Sequence, residues 1–190
     1  MSIAKGPLTL RRFRAEGAPP PSSAELVELL KGDAFRGRLR DVREGEHTGW
    51  VSLHNLLDTK FTTDRTYYPP YLLFALRTDK KAIPPALMRA LIDQRSRKLL
   101  AETGLERVPP GAREEIKEEI EAEYLPGALP SISVVEVAWN LVSGVVLVAT
   151  SSERGSERVR KQFSATFSRV LEPLGPSRVV LATDGERRAP

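Results

Sequence analysis

Cysteine is absent from all 190 residues. That excludes a disulfide scaffold, a thiolate zinc site and cysteine nucleophile chemistry. Histidine is almost absent. His47 and His54 stand alone in loop-like sequence, and neither belongs to a HExxH pair. They read as surface or hydrogen-bonded side chains, not as metal ligands. Long apolar runs are missing too. Runs such as residues 145–149 are far short of the roughly 20 residues that a membrane helix requires. The first 14 residues show no apolar signal region and no small-residue cleavage site, so the expectation is a cytoplasmic protein with no membrane association. No P-loop, GxGxxG fingerprint or GxSxG elbow occurs, and with them go the common phosphate cradles and the hydrolase nucleophile.

A coat of one charge sign is also lacking. The chain carries 29 basic and 25 acidic residues, a net charge of +4. The charges are nevertheless sorted along it. Residues 77–113 hold nine basic against four acidic side chains, and residues 114–125 hold one against six. Local basic surfaces beside an acidic one suit a polyanionic partner, whereas a small net charge by itself only favours solubility.

What is present patterns as alternating strands and helices. Thr9–Arg14 reads as a strand, ended by Pro19-Pro20-Pro21. Ser22 or Ser23 caps a helix bearing Leu26, Leu29 and Leu30. Residues 34–48 read as loop or ragged edge strand, Trp50–Leu53 as a short strand and 58–66 as turn. Tyr71–Arg77 has the apolar density of a buried strand. A helix opens at Pro84-Pro85 and stops at Gly104, and a second spans Ala112–Tyr124. Ile132–Leu141 alternates, with Val135, Val137, Trp139 and Leu141 on one face. Ser143-Gly144 turns the chain into Val145–Thr150, the clearest hairpin in the sequence. A helix over 154–171 and a strand over 178–182 complete the order β-α-β-β-α-α-β-β-α-β. The predicted class is α+β: an antiparallel sheet with packed helices and a projecting central helical hairpin. The predicted organisation is a body from residues 1–83 and 126–183, a helical hairpin insertion at 84–125 and a frayed tail at 184–190. At this length a chain buries roughly 70% of its unfolded surface, enough for a core without staples.

No catalytic constellation emerges, and the expectation is a non-enzyme that needs no cofactor. Glu115-Ile116-Lys117 has the E-x-K form of some metal nucleases but sits in a helix crowded with glutamates, where a solvated acidic face is the simpler account. Ser151–Ser156 lies between a strand and a helix, as anion sites do. It has too few glycines for a phosphate cradle, and plain N-capping suffices.

Basic faces are more informative. At about 100° per residue, Arg154, Arg158, Lys161 and Arg169 fall on one side of the 154–171 helix, opposite Val159, Phe163, Thr166, Phe167 and Val170. Such a row suits a phosphate backbone, where cationic side chains displace condensed counterions. Arg77, Lys80 and Lys81 form a second candidate group, with Asp79 the acidic residue among them. On the 84–103 helix, Asp93 stands four residues from both Arg89 and Arg97. Pairing there is expected to use up those cations.

An ordered series of segments carries a family resemblance. Gly49-Trp50-Val51 is followed by YLLFALRTDKKAIP (71–84) leading into a charged helix. Thr103–Val108 comes next, then a Lys/Glu helix ending Leu125-Pro126. Val135-Glu136-Val137-Ala138-Trp139-Asn140 follows, with Gly144 after it and a closing helix and strand. Over Leu8 to about Ala182 this resembles the RdgC family of recombination-associated proteins, most closely its short members. The resemblance implies a non-enzymatic, nucleoid-associated protein that binds double-stranded DNA with little sequence preference, limits RecA-type recombinase activity and forms a homodimer. It places basic contacts at positions matching Arg77 and Lys81. Two departures stand out. The large C-terminal part of longer members, through which they close a ring, has no counterpart here. Where those members read Leu-Pro-Arg-Ala-Phe, this chain has Leu125-Pro126-Gly127-Ala128-Leu129. The alternative is a protein-interaction module of the same fold that has lost DNA binding.

Overall fold

A computed structural model describes residues 9–17, 20–37 and 46–175. The elements run β1 (Arg11–Glu16), α1 (Ser23–Gly32), β2 (Glu46–Val51), α2 (Thr63–Thr66), β3 (Tyr67–Tyr68), β4 (Tyr71–Lys80), α3 (Pro85–Thr103), α4 (Ala112–Tyr124), β5 (Ser131–Asn140), β6 (Val145–Val148), α5 (Glu153–Phe167) and β7 (Val170–Pro173). The seven strands form one sheet in the order β2-β4-β5-β6-β1-β7, with β3 paired to β4. β1 runs antiparallel to both β6 and β7, β5 to β6, and β3 to β4. The chain is therefore α+β with an antiparallel sheet.

The chain divides into two units. The larger comprises residues 1–36, 48–77 and 133–190. Its core follows from strand alternation: Phe13, Leu72, Phe74, Leu76, Val137, Trp139, Val146, Val148 and Leu171 turn to one face. Leu26, Val27 and Leu30 of α1 and Val159, Phe163 and Phe167 of α5 cover that face. Five aromatic rings meet there, among them Trp50 edge-on to Phe74 at 4.9 Å and Trp139 edge-on to Phe163 at 5.0 Å. Gly49 permits a close crossing in the same unit. A Cβ there would stand 2.4 Å from the Cα of Phe35, which is backbone and cannot swing aside.

The smaller unit comprises residues 37–47 and 78–132. In it α3 packs on α4 through Ile92, Ile116 and Ile120, flanked by Ile83, Met88, Leu91 and Leu99. Pro85 opens α3 where no N–H is needed, and Gly104 closes it in the left-handed region at φ 68°.

Three expectations are corrected. The 154–171 helix ends at Phe167, because Ser168 turns left-handed at φ 54° and Val170–Pro173 becomes a strand on the sheet. The segment 58–66 holds the short α2 and is not all turn. Asp93 pairs with neither Arg89 nor Arg97. Among the described residues the ion pairs of α3 join Arg95 to Glu119 and Glu123, and Lys98 to Glu102. The strand expected at 178–182 and the tail at 184–190 lie outside the described residues.

Candidate nucleic-acid interface

Helix α5 is set in place by its start and its inner face. Ser152 caps it, its hydroxyl accepting from the Gly155 N–H at 3.2 Å, so the segment 151–156 is a helix cap as the sequence indicated. Gly155 is buried against Thr150, whose Oγ1 would lie 2.9 Å from an added Cβ. Further along, the rings of Phe163 and Phe167 meet at 4.6 Å, tilted by 54°, and both meet Trp139. Thr166 accepts from the indole N–H of buried Trp50 at 2.8 Å, and its hydroxyl donates to Asp33 Oδ2 at 2.5 Å. The helix therefore has no freedom to roll, and its outer face is fixed by the burial of its inner one.

That outer face carries Arg154 and Lys161, both exposed, and Arg158, half-buried. The three span about 10 Å at the 1.5 Å rise of a helix. Glu157 is exposed on the flank of the same row.

The other basic candidates sit differently. Arg169 is not on the helix. It follows the left-handed Ser168, is only 8% exposed, and lies over the Trp139 ring with its guanidinium carbon 5.7 Å from the centroid. The four-residue row is thus three. Arg77 is 3% exposed, stacked 4.2 Å over the Phe35 ring and donating to the Leu56 carbonyl. Lys81 is 5% exposed and donates to the Pro126 carbonyl at 2.7 Å. Burial on both faces accounts for Arg77, since β4 is buried at every position from Phe74 to Asp79, and the chain is buried again at Lys81. Lys80, at the end of β4, is exposed. Arg36 donates to the Gly32 carbonyl.

The E-x-K triplet does not close on itself. Lys117 donates to Glu114 at 2.7 Å, not to Glu115, and that hydrogen bond, followed by the charge of Glu114, raises the ammonium pKa above its ordinary value. Among the described residues no three His, Asp or Glu side chains gather as a metal-holding group. His54 lies 3.5 Å from the Tyr68 hydroxyl, as a hydrogen-bonded surface histidine does. No helix among the described residues is long and apolar enough to cross a membrane.

Sequence reading passed over Arg11, Arg12 and Arg160. The pair Arg11-Arg12 is visible as a run, but on a strand its members point to opposite faces, which hides any shared role. Arg160 falls between the apolar and basic stripes of α5.

The model of a family described as "RdgC: Putative exonuclease, RdgC" matches residues 9–182. No curated protein matches the chain.

Proposed function

The chain belongs to the RdgC family and is a recombination-associated protein, and from that premise we propose that it binds double-stranded DNA without sequence preference. On this reading it works without cutting DNA, limits a RecA-type recombinase by occupying the duplex, and acts on the nucleoid as a homodimer. The observation that carries the reading is the outer face of α5, where Arg154, Arg158 and Lys161 lie opposite a buried inner face. Cations fixed in a row neutralise phosphates at little further entropic cost, and phosphate contacts carry no base information. Arg169, Arg77 and Lys81 are left out of the contact set because they are buried, and the exposed Lys80 is a separate candidate in the smaller unit.

The test is duplex affinity over a salt series. Each phosphate contact contributes about 0.9 to the log–log slope, so replacing Arg154, Arg158 and Lys161 together by Ala should flatten it by up to about 2.7. An unchanged slope in a folded triple variant would remove α5 from the interface. Unrelated duplexes of equal length should bind alike; a preference of about a thousandfold, the scale of specific binders, would reject phosphate readout. Incubation of labelled duplex with the protein and Mg²⁺ should leave its length unchanged, and shortening by the parent but not by Glu115→Ala would restore the nuclease reading. Absence of any salt-dependent binding would favour the protein-interaction module.

A further inference from the structure

Beside the amino-terminal half of α5, within the larger unit, lies a cavity of about 290 Å³ lined by Arg11, Arg12, Phe13, Glu153, Arg160 and Pro173, with Leu10 and Leu174 at its ends. On the face of β1 that meets α5, the guanidinium groups of Arg11 and Arg160 stand against the one carboxylate of Glu153, whereas Arg12 borders the cavity from the strand with its side chain on the opposite face. That carboxylate is already engaged, because Arg11 pairs with Glu153 and also donates to the Ser151 carbonyl at 2.9 Å. Arg160 is held differently. Its Nε donates to the Leu171 carbonyl at 3.1 Å, and its guanidinium carbon stands 6.0 Å from the centroid of the Phe13 ring. Both anchors leave its two Nη nitrogens without a protein acceptor among the described residues.

We propose that this cavity is a phosphate-binding site in which Arg160 is the fixed donor. A half-buried guanidinium with an anchored Nε presents its remaining N–H groups in a rigid fork, the geometry that binds a phosphate through two parallel hydrogen bonds. Concavity adds to this: an anion in the cavity is partly shielded from water, so each contact counts for more than on an open helix face. The phosphate is either the terminal group of a DNA end or an internal one of the backbone. Only the identity of this carrier rests on the DNA-binding reading. The anion chemistry does not.

The experiment has a DNA-free arm and a DNA arm, both on the full chain. In the first, thermal melts are run in inorganic phosphate and in sodium chloride of matched ionic strength. Phosphate should raise the melting temperature of the parent and of Arg12→Gln, whose side chain lies on the other face of β1, and Arg160→Gln should lose the rise. In the second arm, duplexes of one sequence with a 5′-phosphate or a 5′-hydroxyl are compared with a covalently closed circle. A terminal site shows as several-fold tighter binding of the phosphorylated duplex, abolished by Arg160→Gln. An internal site shows as a salt slope on the circle about 0.9 shallower in Arg160→Gln. A phosphate-dependent rise without DNA binding would uphold the cavity and sink the DNA reading. No rise in the parent, or a rise that persists in Arg160→Gln, would overturn the cavity even if duplex binding is intact.

Discussion

Thr166 occupies a place in α5 where the apolar pattern invites valine. Its hydroxyl instead accepts a hydrogen bond from the Trp50 indole N–H and donates one to Asp33. Thr166→Val keeps the shape and removes the acceptor, leaving a buried N–H unmatched at a cost of roughly 1–3 kcal/mol. Chemical denaturation of the variant reads this directly, and a variant as stable as the parent would mean the indole finds another acceptor. Trp139 makes the contrast: its ring is 1% exposed, in the core as the strand alternation indicated, yet its Nε1 has no acceptor among the described residues. At the start of α1 the balance is pH-dependent. Both the hydroxyl and the backbone N–H of Ser22 donate to Glu25, at 2.8 and 2.9 Å. These bonds, the hydroxyl's first, hold the carboxyl below its ordinary 4.5. A carboxylate depressed in the folded state stabilises above its unfolded pKa and loses that contribution as pH falls through the folded one. The gap in melting temperature between the parent and Glu25→Gln should therefore be present at neutral pH and close below about pH 4. A gap that does not change with pH would assign it to packing.

Among the elements, α3 and α4 separate two kinds of holding. Ile120 is fully buried between them, while Arg95 reaches Glu119 and Glu123 from the surface. Ile120→Ala should cost about 2–5 kcal/mol, and Arg95→Ala no more than about 1 kcal/mol, as exposed ion pairs do. Equal losses would make the ionic contact structural. The boundaries of α4 were legible because Pro109-Pro110-Gly111 and Pro126-Gly127 bracket a spacing-four apolar row. Those of α3 were legible because Pro and Gly sit where a helix end wants them. The end of α5 was not. Val170 and Leu171 continue the helical spacing of Phe163 and Phe167, and the residue that breaks it, Ser168, adopts a left-handed conformation its side chain does not advertise. That single turn moved Arg169 from an expected exposed row to a buried place above Trp139. Half of the candidate site was thus visible as periodicity. The remainder depended on where β1 and β7 meet α5, which is tertiary information. Sequence spacing also failed for Asp93, since Arg95, not Arg89 or Arg97, is the arginine of α3 that finds acidic partners, and it finds them on another helix.

For the molecule as a whole, a net charge of +4 gives little general attraction to a polyanion. On the DNA-binding reading, contacts must then come from a few fixed groups, and the salt slope counts them. With α5 alone it should be near 2.7 in magnitude, and a much steeper one would require contacts well beyond that helix. The sheet has its own whole-molecule feature in β7, the last strand in the described order. Leu174 donates inward, its N–H bonding the Arg12 carbonyl at 2.9 Å. Strand N–H groups alternate in direction, so the preceding position would aim its donor outward, and that position is Pro173, which has none. Glu172 beside it adds a negative charge. An approaching strand would meet a missing rung and a repelling carboxylate where it needs a ladder. On the proposed reading, in which copies gather along one duplex, this edge keeps neighbours from zipping sheet to sheet.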